Sequence, residues 1–173
     1  ENKMDNISKT IRTAIEMEKN GIDFYHKAEE KTSYPLAKKM FLSFAEDEKR
    51  HLTVLKEILT DLKFSDFDRF FGEQPRQKIE NIFKEARNEI KERITANPDE
   101  LEALKIGIDM ELESVQFYQT ALEKSEDNHQ KAFLRKLVEE EKEHLQLLQN
   151  THSYLKNSGD WFLWEEKALL DGG

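Results

Sequence analysis

The chain has 173 residues, enough for one domain with a sizeable core. Acidic residues number 36 and basic ones 27, a net charge of −9 with no Lys/Arg-rich run, which argues against nucleic acid or an acidic membrane as the main partner. There is no cysteine, so disulfides, thiolate metal sites and iron–sulfur clusters are excluded from this stretch.

Only three prolines and six glycines interrupt a sequence rich in Leu, Glu and Lys, so local propensity is helical almost throughout. The pattern predicts helices over 5–31, 35–62, 76–95, 98–125 and 128–157, with a short one over 161–169. Pro35 opens the second, where its missing N–H costs nothing, and Asn97-Pro98-Asp99 marks a break and a fresh start. Between 62 and 76, "LKFSDFDRFFGEQP" sets Phe64, Phe67, Phe70 and Phe71 among turn residues and reads as a packed connector. Ser158-Gly159-Asp160 ends the fifth helix, and Asp160 is a candidate cap for "WFLWEEKALL". No apolar run approaches the roughly 20 residues of a membrane span, and residues 1–10 lack the apolar stretch of a signal peptide. A cytoplasmic location is the expectation.

The chain also aligns with itself. A shift of 93 residues lays "AIEMEKNGIDFY" (14–25) on "GIDMELESVQFY" (107–118), and the same shift puts Glu48 on Glu141, Lys49 on Lys142, His51 on His144, Leu52 on Leu145 and Leu55 on Leu148. One ungapped offset across two helices implies a duplicated helical hairpin, 5–62 and 98–157, related by an approximate two-fold axis. Residues 63–97 then form a long crossover and 158–173 a tail, within a single domain that spans the chain.

Helical phase selects which acids face inward, since each residue turns by about 100°. Ile11, Ala14, Ile15, Ile22 and Tyr25 make the apolar face of the first helix with Glu18 in its middle. Phe41, Phe44, Leu52, Leu55 and Leu59 make that of the second around Glu48 and His51, with Glu46 and Asp47 turned away by about 200° and 100°. The second half repeats this with Leu104, Ile108, Val115 and Tyr118 around Glu111, then Leu134, Leu137, Leu145 and Leu148 around Glu141 and His144. Two other acid-x-x-His pairs, Glu126/His129 and Asp23/His26, lack the phase or the repeat and read as surface groups; His152, whose repeat partner is Leu59, reads as peripheral packing.

Four carboxylates inside one bundle cannot stay ionised unpaired, because desolvating each costs on the order of several kcal/mol and they repel one another. Two divalent cations would cancel their charge. Oxygen-rich donors with one imidazole per metal suit iron or manganese, with zinc as an alternative occupant.

A Glu on each of two helices plus Glu-x-x-His on each of the other two resembles the ferritin-like di-iron carboxylate bundles, an all-α four-helix fold. Within that group the chain is most similar to rubrerythrin and its relatives, through Glu18 with Tyr25, Glu48/His51, Glu111 with Tyr118, and Glu141/His144. The resemblance implies two iron ions. Glu18 and His51 would serve one, Glu111 and His144 the other, and Glu48 and Glu141 would bridge, with Tyr25 and Tyr118 hydrogen-bonded to the carboxylates. It also implies an oxidoreductase acting on hydrogen peroxide or dioxygen. Full-length rubrerythrins carry a rubredoxin-like four-cysteine iron site, which this stretch cannot form, so electrons are expected from an external rubredoxin-like donor. They also carry a further Glu three residues after the one matched by Glu111, where this chain has Ser114. The remaining six-residue set is that of bacterioferritin, which makes iron oxidation and storage the alternative reading. A homodimer is the expected assembly.

Overall fold

The computed structural model describes residues 3–61, 63–64, 67–86 and 98–157. They form α1 (Lys3–Lys31), α2 (Pro35–Asp61), a 3-10 turn (Phe67–Phe70), α3 (Pro75–Ala86), α4 (Pro98–Lys124) and α5 (Asn128–Asn157). The architecture is the expected all-α ferritin-like bundle, with no strand among the described residues. The predicted helix over 76–95 is described only as far as Ala86, and the predicted C-terminal helix over 161–169 with its Asp160 cap lies outside the described residues.

Each hairpin, α1/α2 and α4/α5, packs tightly within itself, and the two meet along α1 against α4 and α2 against α5. Direction follows from the side-chain pairs across these seams. Tyr25 reaches Glu111 while Tyr118 reaches Glu18, so α1 and α4 run antiparallel. His51 reaches Glu140 while His144 reaches Asp47, so α2 and α5 do too. This is the approximate two-fold relation that the repeat implies. Helix α3 lies across α2 and α5, anchored by buried Ile79.

The apolar core is divided in two. Tyr25, Phe41, Phe44, Leu104 and Leu148 belong to one half; Ile11, Leu55, Tyr118, Phe133 and Leu137 belong to the other. The connector phenylalanines join the second half as expected, with the Phe64 and Phe67 rings 5.8 and 5.5 Å from that of Phe133. Between the halves lies a layer of buried polar residues.

Helix ends are satisfied by local and long-range capping. The Asp127 carboxylate accepts the Gln130 amide at the start of α5 (2.8 Å), the usual use of an N-cap acid. At the start of α2 the cap comes from the other hairpin: one carboxylate oxygen of buried Glu100, on α4, accepts from the Thr32 hydroxyl (2.8 Å), the Ser33 amide (2.7 Å) and hydroxyl (2.9 Å), and the Tyr34 amide (3.2 Å). Removing this acceptor leaves orphan amides beneath a buried corner. Glu100→Ala is therefore expected to cost about 1–3 kcal/mol in urea denaturation, with Glu100→Gln intermediate.

Candidate metal centre

Each of the first helices brings one acid to the polar layer, Glu18 from α1 and Glu111 from α4. Each of the second brings a Glu and a His one turn apart, Glu48/His51 from α2 and Glu141/His144 from α5. All six are at most 4% exposed. Their donor atoms fall into two groups, Glu18/Glu48/His51/Glu141 and Glu48/Glu111/Glu141/His144, with the atoms of each within 4.8 Å of one another. Glu48 and Glu141 belong to both groups. The His51 and His144 ring centroids are 6.4 Å apart.

Both imidazoles present Nδ1 to the carboxylates. His51 Nδ1 lies 3.3–3.4 Å from Glu18, Glu48 and Glu141, and His144 Nδ1 lies 3.2–3.4 Å from Glu48, Glu111 and Glu141. Both Nδ1 atoms, both Glu141 oxygens and Glu18 Oε2 are buried without a hydrogen-bond partner. Buried orphan lone pairs are rare in folded proteins. Here they converge from three helices, α1, α2 and α5, on one small volume, and one carboxylate-rich, single-imidazole donor set per group fits a hard or borderline divalent cation such as iron or manganese. Outside the ring, the Tyr25 hydroxyl donates to Glu111 and the Tyr118 hydroxyl to Glu18, so each tyrosine holds the acid of the opposite hairpin. Phe44 covers His144 at 4.3 Å between ring centroids, and Phe71 lies over His51 at 5.9 Å.

One expectation is overturned. Helical phase places Asp47 about 100° away from the inner face, yet Asp47 is completely buried and accepts from His144 Nε2 at 3.1 Å. Its counterpart Glu140 is also completely buried and lies 2.8 Å from His51 Nε2. The buried arc of α2 is wider than a bundle helix requires because α3 covers a second side of it. The signal was present in the repeat, since 47 plus 93 is 140 and both positions are acidic. Arg50 joins these acids, pairing with Asp47 and, at 3.2 Å, with Glu140, while Lys78 of α3 pairs with Asp47. His129 is exposed, His26 and His152 are half-buried, and none of the three joins the cluster.

The electrostatics match this arrangement. Burial, together with Glu141 and Glu18, raises Glu48 well above the ordinary carboxylate range, and burial with Glu141 raises Glu111 to about 7. Burial alone would lower both histidines, but the surrounding carboxylates outweigh it and raise them well above 6.5. Burial and the nearby carboxylates raise both tyrosines, which keeps them as donors. Each Nδ1 therefore faces a surplus of negative charge, from three carboxylates within 3.4 Å.

The family model for rubrerythrin matches residues 9–152. The chain belongs to the rubrerythrin family. No curated protein and no solved structure matches it. Rubrerythrins are di-iron proteins, and this member brings together a buried carboxylate and histidine cluster that could hold metal. No helix among the described residues is long and apolar enough to cross a membrane.

The shifts give a pH signature with a definite sign. In the metal-free protein Glu111 is raised from 4.5 to about 7, so its contribution to stability is full below 4.5 and is lost as pH rises through about 7. Glu48 and the histidines are shifted in the same direction. Asp47, Glu140 and Glu141, held below the ordinary range by the histidines against the effect of burial, act oppositely and only in acid. With chelator present, the melting temperature should fall as pH rises from about 5 to about 8. Bound metal replaces the protons, so stabilisation by added divalent metal should grow over the same range.

Proposed function

We propose that this rubrerythrin-family chain is a di-iron oxidoreductase that reduces hydrogen peroxide or dioxygen with electrons from an external, rubredoxin-like donor. The observation that carries the reading is the pair of overlapping donor groups that share Glu48 and Glu141. Glu18 and His51 would hold one ion, Glu111 and His144 the other, and the two shared glutamates would lie between them. When bound there, a ferrous pair would supply two electrons, the number needed with two protons to reduce one peroxide to two waters. The protein's own part is preorganisation. Tyr25 and Tyr118 fix Glu111 and Glu18, Asp47 and Glu140 fix the histidines, and the aromatic cover keeps bulk water from a fully buried cluster.

The site also departs from the family pattern. Ser114 is half-buried and is the repeat partner of Gly21 (21 plus 93 is 114). A Cβ added at Gly21 would lie 3.4 Å from Glu48 Cγ, so that position abuts a shared carboxylate. Neither repeat offers a further acid there. Charge added on oxidation would have to be balanced by oxide, hydroxide or water instead of a seventh carboxylate.

Anaerobic Fe(II) titration should saturate near two ions per chain, one for each donor group, and peroxide should oxidise them one molecule per pair. Glu48→Ala or Glu141→Ala should lower the iron stoichiometry; an unaltered value in both would remove the centre. Crystals of the reduced and oxidised protein should show His51 and His144 bound in both states, whereas loss of either bond on oxidation would contradict the role given to Ser114. The six-residue set also admits iron storage, and size-exclusion separates the two: a dimer accords with the redox enzyme, a very large closed particle with storage.

A further inference from the structure

The duplication breaks at one position beneath the site. Arg50 on α2 corresponds to Glu143 on α5 (50 plus 93 is 143), a change from cation to anion. Arg50 faces both acids that hold the histidines, with Nη2 toward Asp47 and Glu140, while its Nη1 donates to the Phe70 carbonyl at 2.7 Å. Glu143 instead accepts the Arg76 backbone amide at 3.0 Å, in the first turn of α3, where helix amides lack intrahelical partners. That contact and buried Ile79 place Lys78, itself 24% exposed, against completely buried Asp47. The outcome is unequal. Asp47, which holds His144, is paired with two cations; Glu140, which holds His51, is paired with Arg50, and its Oε1 is buried without a partner.

We propose that Lys78, delivered by the crossover helix in place of the arginine that the second repeat lacks, is a positioning residue for the metal centre: through Asp47 it fixes the His144 imidazole and makes the two metal positions inequivalent. This rests on the di-metal reading above. Charge counting agrees with it. Lys78 and Arg50 balance Asp47 and Glu140, which leaves the four inner glutamates to two divalent ions. Without Lys78, buried Asp47 keeps one cation and is less firmly held, so His144 loses orientation. His51 is held through Glu140 and Arg50, which Lys78 does not touch.

The test is an anaerobic Co(II) titration of the full chain, followed by visible d–d absorption, with melting of the metal-free protein measured alongside. Lys78→Met should bind one ion as the wild type does and the other about tenfold more weakly, the low end of what losing a direct outer partner of a ligand costs, since Lys78 acts one contact further out through Asp47. Lys78→Arg should restore it, and Arg50→Met should weaken both ions. In a His51→Ala background Lys78→Met should weaken the surviving ion; in a His144→Ala background it should change nothing further. Should Lys78→Met fail to fold, Lys78→Gln carries the same comparison. Unchanged binding, equal weakening of both ions, or tighter binding from loss of positive charge would each overturn the proposal. A wild-type chain that does not take up two ions would instead overturn the di-metal reading itself.

Discussion

The constraint on which this structure depends is the desolvation of like charge. Glu18, Glu48, Glu111 and Glu141 sit between two apolar half-cores, at most 4% exposed, in a medium where unpaired carboxylates are costly and mutually repelling. Everything adjacent to them meets that cost. The imidazoles turn Nδ1 inward, the tyrosine hydroxyls donate from opposite hairpins, and burial with mutual repulsion raises Glu48 and Glu111 above the ordinary carboxylate range. Such a layer is costly without positive charge among the carboxylates, and a bound divalent metal would offset that cost. Metal binding there would link to the stability of the fold through the same atoms.

Around that layer the protein is two nested shells with different symmetry. The inner shell obeys the two-fold relation: each hairpin supplies one Glu, one Glu-x-x-His pair and one tyrosine. The outer shell begins to obey it, with Asp47 and Glu140 on the two imidazoles, and then departs at Arg50 and Glu143. A duplicated hairpin needs a connection between its copies. Here the connection also covers the open side of α2 and α5, brings Phe71 over His51 and sets Lys78 under Asp47. The crossover thereby serves as a wall of the site as well as a tether.

Close packing gives the same picture. Gly107, in the middle of α4, lies where an added Cβ would meet Phe24 at 3.1 Å and Leu148 at 3.3 Å, so a side chain there would have to push apart the seam between hairpins. Gly21, near the polar layer, leaves the space beside Glu48 free of side-chain atoms of its own. Helix propensity argues against glycine at both places. At Gly107 the close approach of Phe24 and Leu148 accounts for it, whereas at Gly21 an added Cβ would meet Glu48 only at ordinary contact distance, 3.4 Å or more.

Much of this was legible in the sequence because helices are periodic and the chain is repeated. Turning about 100° per residue put Glu18, Glu48, His51, Glu111, Glu141 and His144 on inner faces, and the offset of 93 marked them as two copies of one unit. The structure does bring these six residues together. Asp47 was misjudged because phase alone assumes one buried face per helix, and only the tertiary fold shows that α3 covers a second. Lys78 and the Glu143–Arg76 contact carry no periodic or repeated signal, since they join a crossover helix to two helices far away in the chain. Sequence by itself determined the four bundle helices, the repeat and the six residues that cluster, all of which rest on local geometry. Only the tertiary structure decided which carboxylate holds which histidine and which cation holds that carboxylate, because those pairings depend on how separate helices are laid against one another.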